Sequence, residues 1–179
     1  MKYIALVRGI NVGGNNRVEM PRLKLAFENN GFFNISTYIN SGNVIFESDE
    51  IDKMMLSRIC EGFILKDFNV VTRVAVISAD ELNDALNNAP EWWGADPASK
   101  HNAIFVIEPA SADSVMKSAG VIKPEYEKIA SRGNVIFWSA PIATFGRSRW
   151  AKVVGTAAYQ YITIRNYNTA KKLRDLVNT

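Results

Sequence analysis

The chain has 179 residues, 47% hydrophobic, 11% aromatic and 22% charged, with 11 glycines and 6 prolines; this fits one large or two small globular domains and excludes intrinsic disorder, collagen-like repeats and low complexity. No apolar run approaches the roughly 20 residues of a spanning helix, and residues 1–8 are too short an apolar stretch for a signal peptide, so a cytoplasmic location is expected. The net charge of +3 is uneven: residues 141–179 hold seven basic residues and one acid, leaving the other 140 residues at −3, an asymmetry that suits an anionic partner or a solvated basic helix face.

Residues 2–8 form a short apolar run ending at Gly9 and read as a buried strand. A Gly/Asn-rich stretch, residues 9–19, leads to a helix over 20–30, with Leu23, Ala26 and Phe27 at helical spacing, Pro21 in the first turn and Gly31 at the stop. Strands over 33–40 and 43–47 flank Ser41-Gly42 and predict a tight hairpin. A helix over 51–66 follows, led by Asp49, Glu50 and Asp52; then come a strand over 69–77 and a helix to about Asn87, opened by the capping box Ser78-Ala79-Asp80-Glu81.

Residues 89–100, with Pro90, Trp92, Trp93, Gly94 and Pro97, break regular structure and read as a connector. Beyond it the spacing predicts a strand over 102–107, a helix over 111–120, a hairpin of 126–131 with 134–139, a helix over 146–154 and a strand over 159–164. The order β-α-β-β-α-β thus occurs twice. Gly42-Asn43-Val44-Ile45-Phe46 recurs as Gly133-Asn134-Val135-Ile136-Phe137, each copy expected at the same place in its hairpin. The expected class is α+β: two tandem ferredoxin-like (split βαβ) halves with antiparallel sheets, 1–88 and 101–179, joined by 89–100, the second half ending in a C-terminal helix.

The halves differ most between first strand and first helix, where the first half spends about eleven residues and the second about three. Arg8, Gly9, Asn11, Gly13 and Gly14 lie in or beside that long loop, which can either present backbone amides to an anion or permit a turn at Gly13-Gly14. It lacks the Walker and dinucleotide spacings. A second polar group, Thr37, Tyr38, Asn40, Ser41, Gly42 and Asn43, surrounds the first hairpin, with Tyr38 and Asn40 expected on one face. A third is Arg165-Asn166-Tyr167-Asn168-Thr169, where Asn166 or Asn168 can cap the last helix.

Residues 6–14 (LVRGINVGG), Met20 and Leu23, residues 37–46 (TYINSGNVIF), and residues 163–169 (TIRNYNT) with Leu173 resemble the bacterial domain-of-unknown-function family 1697 from end to end. The resemblance implies a small cytoplasmic α+β protein and carries no established activity. This chain has Asn40 where Gln is common, Ile164 for Thr, Tyr167 for Trp, and Arg149 for the Lys that often follows the serine, which weakens a role for Ser148.

The three groups offer Arg, Asn, Ser, Thr, Tyr and backbone amide, which hold anions, and contain no Asp, Glu, His or Cys to act as base, nucleophile or metal ligand. The single cysteine, Cys60, excludes an intramolecular disulfide and a multi-cysteine zinc site and reads as core; the single histidine, His101, reads as structural. No metal and no particular cofactor is implied, and oligomeric state is not legible. The leading expectation is a phosphate-bearing small molecule or nucleotide held by Arg8, Gly9, Asn11, Gly13, Gly14, Tyr38, Ser41, Gly42, Asn43, Arg165, Asn166, Asn168 and Thr169. Two alternatives stand beside it. One is RNA or single-stranded nucleic acid stacked on Tyr3, Tyr38 and Phe46; the other is a transferase or hydrolase that borrows an acid or base such as Glu19 or Asp96.

Overall fold

The computed structural model describes every residue, Met1–Thr179. It contains two compact units, one formed by Met1–Asp80 with Asp175–Thr179 and the other by Glu81–Arg174. No helix is long and apolar enough to cross a membrane.

In the first unit, β1 (Lys2–Val7), β2 (Phe33–Tyr38), β3 (Asn43–Glu47) and β4 (Val74–Ser78) form an antiparallel sheet in the order β2-β3-β1-β4. Helices α1 (Met20–Asn29) and α2 (Lys53–Phe68) connect them. The acids expected at the start of α2 act locally: Asp52 is its N-cap and accepts from the Met54 and Met55 amides. Alternate residues of β1 and β3, namely Tyr3, Ala5, Val7, Val44 and Phe46, pack with Phe27, Leu56, Cys60 and Phe63 into one core. Burial pushes the Cys60 thiol well above the ordinary range. Native protein should therefore fail to react with a disulfide reagent that titrates Cys60 fully in guanidinium, and fast native labelling would contradict this packing.

In the second unit, β5 (Ser99–Val106), β6 (Lys128–Arg132), β7 (Val135–Pro141) and β8 (Ile162–Asn166) form the antiparallel sheet β6-β7-β5-β8. Helix α4 (Ala112–Ala119) has a capping box at Ser111. The helix expected over 146–154 is absent; three 3-10 segments, Ile142–Arg147, Trp150–Gly155 and Ala157–Tyr161, replace it. Gly146, Gly155 and the β-branched Val153, Val154 and Thr156 give a regular helix too little support there. Residues 89–100 are ordered within this unit, where Trp93 donates to the Asn102 carbonyl at 2.9 Å and packs edge-on to Phe137. Helix α3 (Ala79–Asn87) spans the division between the units, and α5 (Tyr167–Val177) is the C-terminal helix.

The five-residue echo is out of phase by one position. Asn43 opens β3 opposite Tyr38 after a four-residue loop, whereas Val135 opens β7 opposite Arg132 after the two-residue loop Gly133-Asn134. Because side chains alternate along a strand, Val44 and Phe46 join the helix-side core of the first unit, while Ile136 and Trp138 do so in the second.

Candidate functional site

The long loop after β1 is a small hairpin. The Asn11 amide donates to the Asn16 carbonyl at 3.1 Å and the Asn15 amide to the Val12 carbonyl at 3.1 Å. Gly13 and Gly14 turn it, both with positive φ (59° and 80°), as a primed two-residue turn requires. The glycines therefore serve the turn of a two-residue hairpin.

Asn11 fixes the hairpin to the body. Its Nδ2 donates to the carbonyls of Val18 and Asn40, both at 2.8 Å, and its Oδ1 accepts the Val18 amide at 2.8 Å. Asn16 Nδ2 donates to the Gly9 carbonyl at 3.1 Å. Arg8 anchors the root of the loop by its backbone: its amide donates to Arg73 O and its carbonyl accepts from Thr72 Oγ1 at 2.6 Å.

The strand expected over 33–40 ends at Tyr38, so the alternation proposed for Tyr38 and Asn40 stops there. Asn43 is fully buried and its Nδ2 donates to the Tyr38 carbonyl and to Ser41 Oγ, both at 2.9 Å, closing the loop from inside. Gly42 has φ 75°, and its carbonyl accepts the Val7 amide at 2.8 Å. Ile39 adopts φ 49° while 49% exposed, a strained conformation for a β-branched residue. Ile39→Gly should stabilise the protein by about 1 kcal/mol in urea unfolding, since the left-handed penalty of roughly 1–2 kcal/mol disappears against some gain in unfolded-chain entropy. A loss of stability would contradict the strain.

Loop and hairpin meet at a cleft of about 430 Å³ lined by Asn11, Gly14, Arg17, Glu19, Pro21 and Asn40, among others. Arg17 is highly exposed and reaches Glu19 at 3.7 Å, a pairing too solvated to hold either side chain firmly. Glu19 is the N-cap of α1 but makes no side-chain cap bond; Pro21 has no N–H and the Leu23 amide donates to the Glu19 carbonyl at 2.9 Å, so the donors left at this helix start are at most the Met20 and Arg22 amides. Neither Arg17 nor the first turn of α1 is among the site residues expected from sequence; Pro21 at the helix start is the one local signal that points there.

The third group lies in the second unit. Arg165 is 7% exposed, and its guanidinium donates to Thr163 Oγ1 at 2.8 Å and the Ile164 carbonyl at 3.0 Å. Desolvation lowers its pKa to about 10. Asn166 is the helix cap: its Oδ1 accepts the Thr169 amide at 2.8 Å. Asn168 is exposed in the first turn of α5 and Thr169 is buried. The nucleic-acid alternative loses two of its three rings, because Tyr3 and Phe46, at 1% and 0% exposure, stack on each other within the core.

A family model described as a protein of unknown function, DUF1697, matches residues 1–137. The chain belongs to DUF1697. The glycine hairpin and the first β-hairpin lie inside the matched region of DUF1697, and Arg165 to Thr169 lie beyond it. A solved structure of a conserved bacterial protein from Streptococcus pneumoniae is similar over 97% of this chain and 97% of its own, at 30% identity and a TM-score of 0.85. No curated protein matches.

Proposed function

We propose that this DUF1697 protein binds a phosphate-bearing small molecule, a nucleotide or a sugar phosphate, in the cleft of its first unit. The observation that carries the reading is the meeting of the Arg17 guanidinium with the uncapped start of α1 in one cleft of about 430 Å³, within the size range of small-molecule sites. A helix N-terminus concentrates N–H donors and partial positive charge, and an adjacent guanidinium can add a bidentate hold on phosphate. Glu19 and the Asn40 carboxamide suit sugar hydroxyls. Asn11, Gly42 and Asn43 serve the reading by holding loop and hairpin in place. Each sheet with its crossovers is read as a ferredoxin-like half, a reading supported by the strand orders β2-β3-β1-β4 and β6-β7-β5-β8.

A thermal-shift series with inorganic phosphate, ribose 5-phosphate and AMP tests this. At about a hundred times its dissociation constant a true ligand adds roughly 2.7 kcal/mol of stability. The expected result is a rise in Tm that Arg17→Ala removes without altering the Tm of the free protein. No shift with any of the three, or an equal shift in Arg17→Ala, would reject the reading.

A further inference from the structure

The second unit holds a separate cleft of about 440 Å³ whose lining includes Trp92, Pro124, Tyr126, Lys128, His101 and Ser139. Antiparallel pairing of β5 with β7 sets His101 directly opposite Ser139, and pairing of β6 with β7 sets Lys128 opposite Ser139 on its other side. The three therefore share one face of the sheet.

The hydrogen bonds select the tautomer of the neutral imidazole. His101 Nε2 lies 2.7 Å from the Asp96 carbonyl oxygen, which can only accept, so Nε2 carries a proton. The neutral ring then has Nδ1 unprotonated, and the Ser139 hydroxyl at 2.6 Å donates to it. A serine hydroxyl donating to an imidazole whose far nitrogen is held by a fixed acceptor is the arrangement of a nucleophile and its base. The Tyr167 ring, edge-on to His101 with centroids 6.3 Å apart, flanks the imidazole. The Asp96 carboxylate, held by Ser99 Oγ at 2.7 Å and the Ala98 amide at 2.9 Å, titrates below the usual range because of those bonds, with a smaller contribution from His101. A negative charge thus stands near the ring that would become positive.

We propose that Ser139 and His101 form an acyl-transfer site for small esters with a flat apolar group, which Trp92 and Tyr126 would flank. The Ser139 Oγ proton passes to His101 Nδ1 as Oγ bonds to the substrate carbonyl carbon. Collapse of the adduct breaks the bond to the alcohol oxygen, which takes that proton from Nδ1 and leaves. Water then attacks the acyl-serine, giving one proton to Nδ1, and the acid departs as Oγ recovers that proton. Lys128 is the cation available to the developing oxyanion. Sequence alone reads His101 as structural, because its partner lies 38 positions away and the pairing depends on strand register.

The test is covalent labelling of the full-length protein by a fluorophosphonate, which leaves a phosphonyl group on an activated serine and releases fluoride. The expected result is one adduct per chain, mapped to Ser139, absent in Ser139→Ala and formed about a hundredfold more slowly in His101→Gln, within the usual contribution of a general base. No adduct on the wild type, an adduct only at other residues, or an undiminished rate in His101→Gln would overturn the proposal. Circular dichroism confirms that each variant is folded. If Ser139→Ala fails to fold, the mapped wild-type adduct and the His101→Gln rate still decide. A merely structural histidine would not change the labelling rate of a folded protein.

Discussion

Glu127→Ala should cost about 3–5 kcal/mol of stability in urea unfolding, because three backbone donors lose one acceptor. Glu127 is only 3% exposed; its Oε1 accepts the Lys123 amide at 3.0 Å and the Arg149 amide at 2.8 Å, and its Oε2 accepts the Trp150 amide at 3.1 Å. One carboxylate thus pins the approach to β6 to the 3-10 segment that begins at Trp150, itself 1% exposed and part of the second core. A buried donor left without a partner costs about 1–3 kcal/mol, and three of them approach the whole stability of a domain, typically about 5–15 kcal/mol. Glu127→Gln, which keeps one acceptor oxygen, should lose clearly less. A loss under about 1 kcal/mol in the alanine variant would show that the segment is held by its apolar contacts alone.

Gly42→Val should be the second large effect, about 2–5 kcal/mol. A Cβ at Gly42 would lie 2.7 Å from Ile10 Cδ1 and 2.8 Å from Val7 Cβ, both side chains being buried, and φ is +75°. The left-handed conformation costs a side chain roughly 1–2 kcal/mol and the forced overpacking about 1–3 more. Gly13→Ala is the natural control: φ is +59° but a Cβ there meets nothing within 4 Å, so only the conformational cost of about 1 kcal/mol remains. Equal losses in the two variants would contradict the close approach of Ile10 and Val7 to the hairpin.

These two residues also mark how far the sequence could be read. Gly42 between two apolar β-forming runs announced a hairpin, and its positive φ is observed, because the signal is local. Helices α1 and α2 were legible for the same reason: Pro21 and Asp52 act within one turn of where they stand. Glu127 gave no signal, since its three partners include Arg149 and Trp150, more than twenty positions away. The second crossover failed as a helix because its apolar residues keep rough helical spacing while Gly146 and Gly155 withdraw the backbone support.

The pentapeptide echo misled in an instructive way. Identical residues entered hairpins with loops of different length, four residues against two, and the one-position slip exchanged the two faces of the strand. At the first unit's site, Gly13 and Gly14 were legible as permissive residues, but their work is to turn a hairpin. Asn11 looked like a ligand donor; the Asn40 and Val18 carbonyls already take both protons of its amide nitrogen. Register and long-range hydrogen bonds decide such roles, and neither is encoded in a local window.

The most direct test of the binding reading is an amide NMR titration of the wild type with ribose 5-phosphate. Saturable shifts confined to residues 11–22 and Asn40, weakened by salt and abolished by Arg17→Ala, are the expected result. Shifts centred elsewhere, or none up to millimolar ligand, would contradict it.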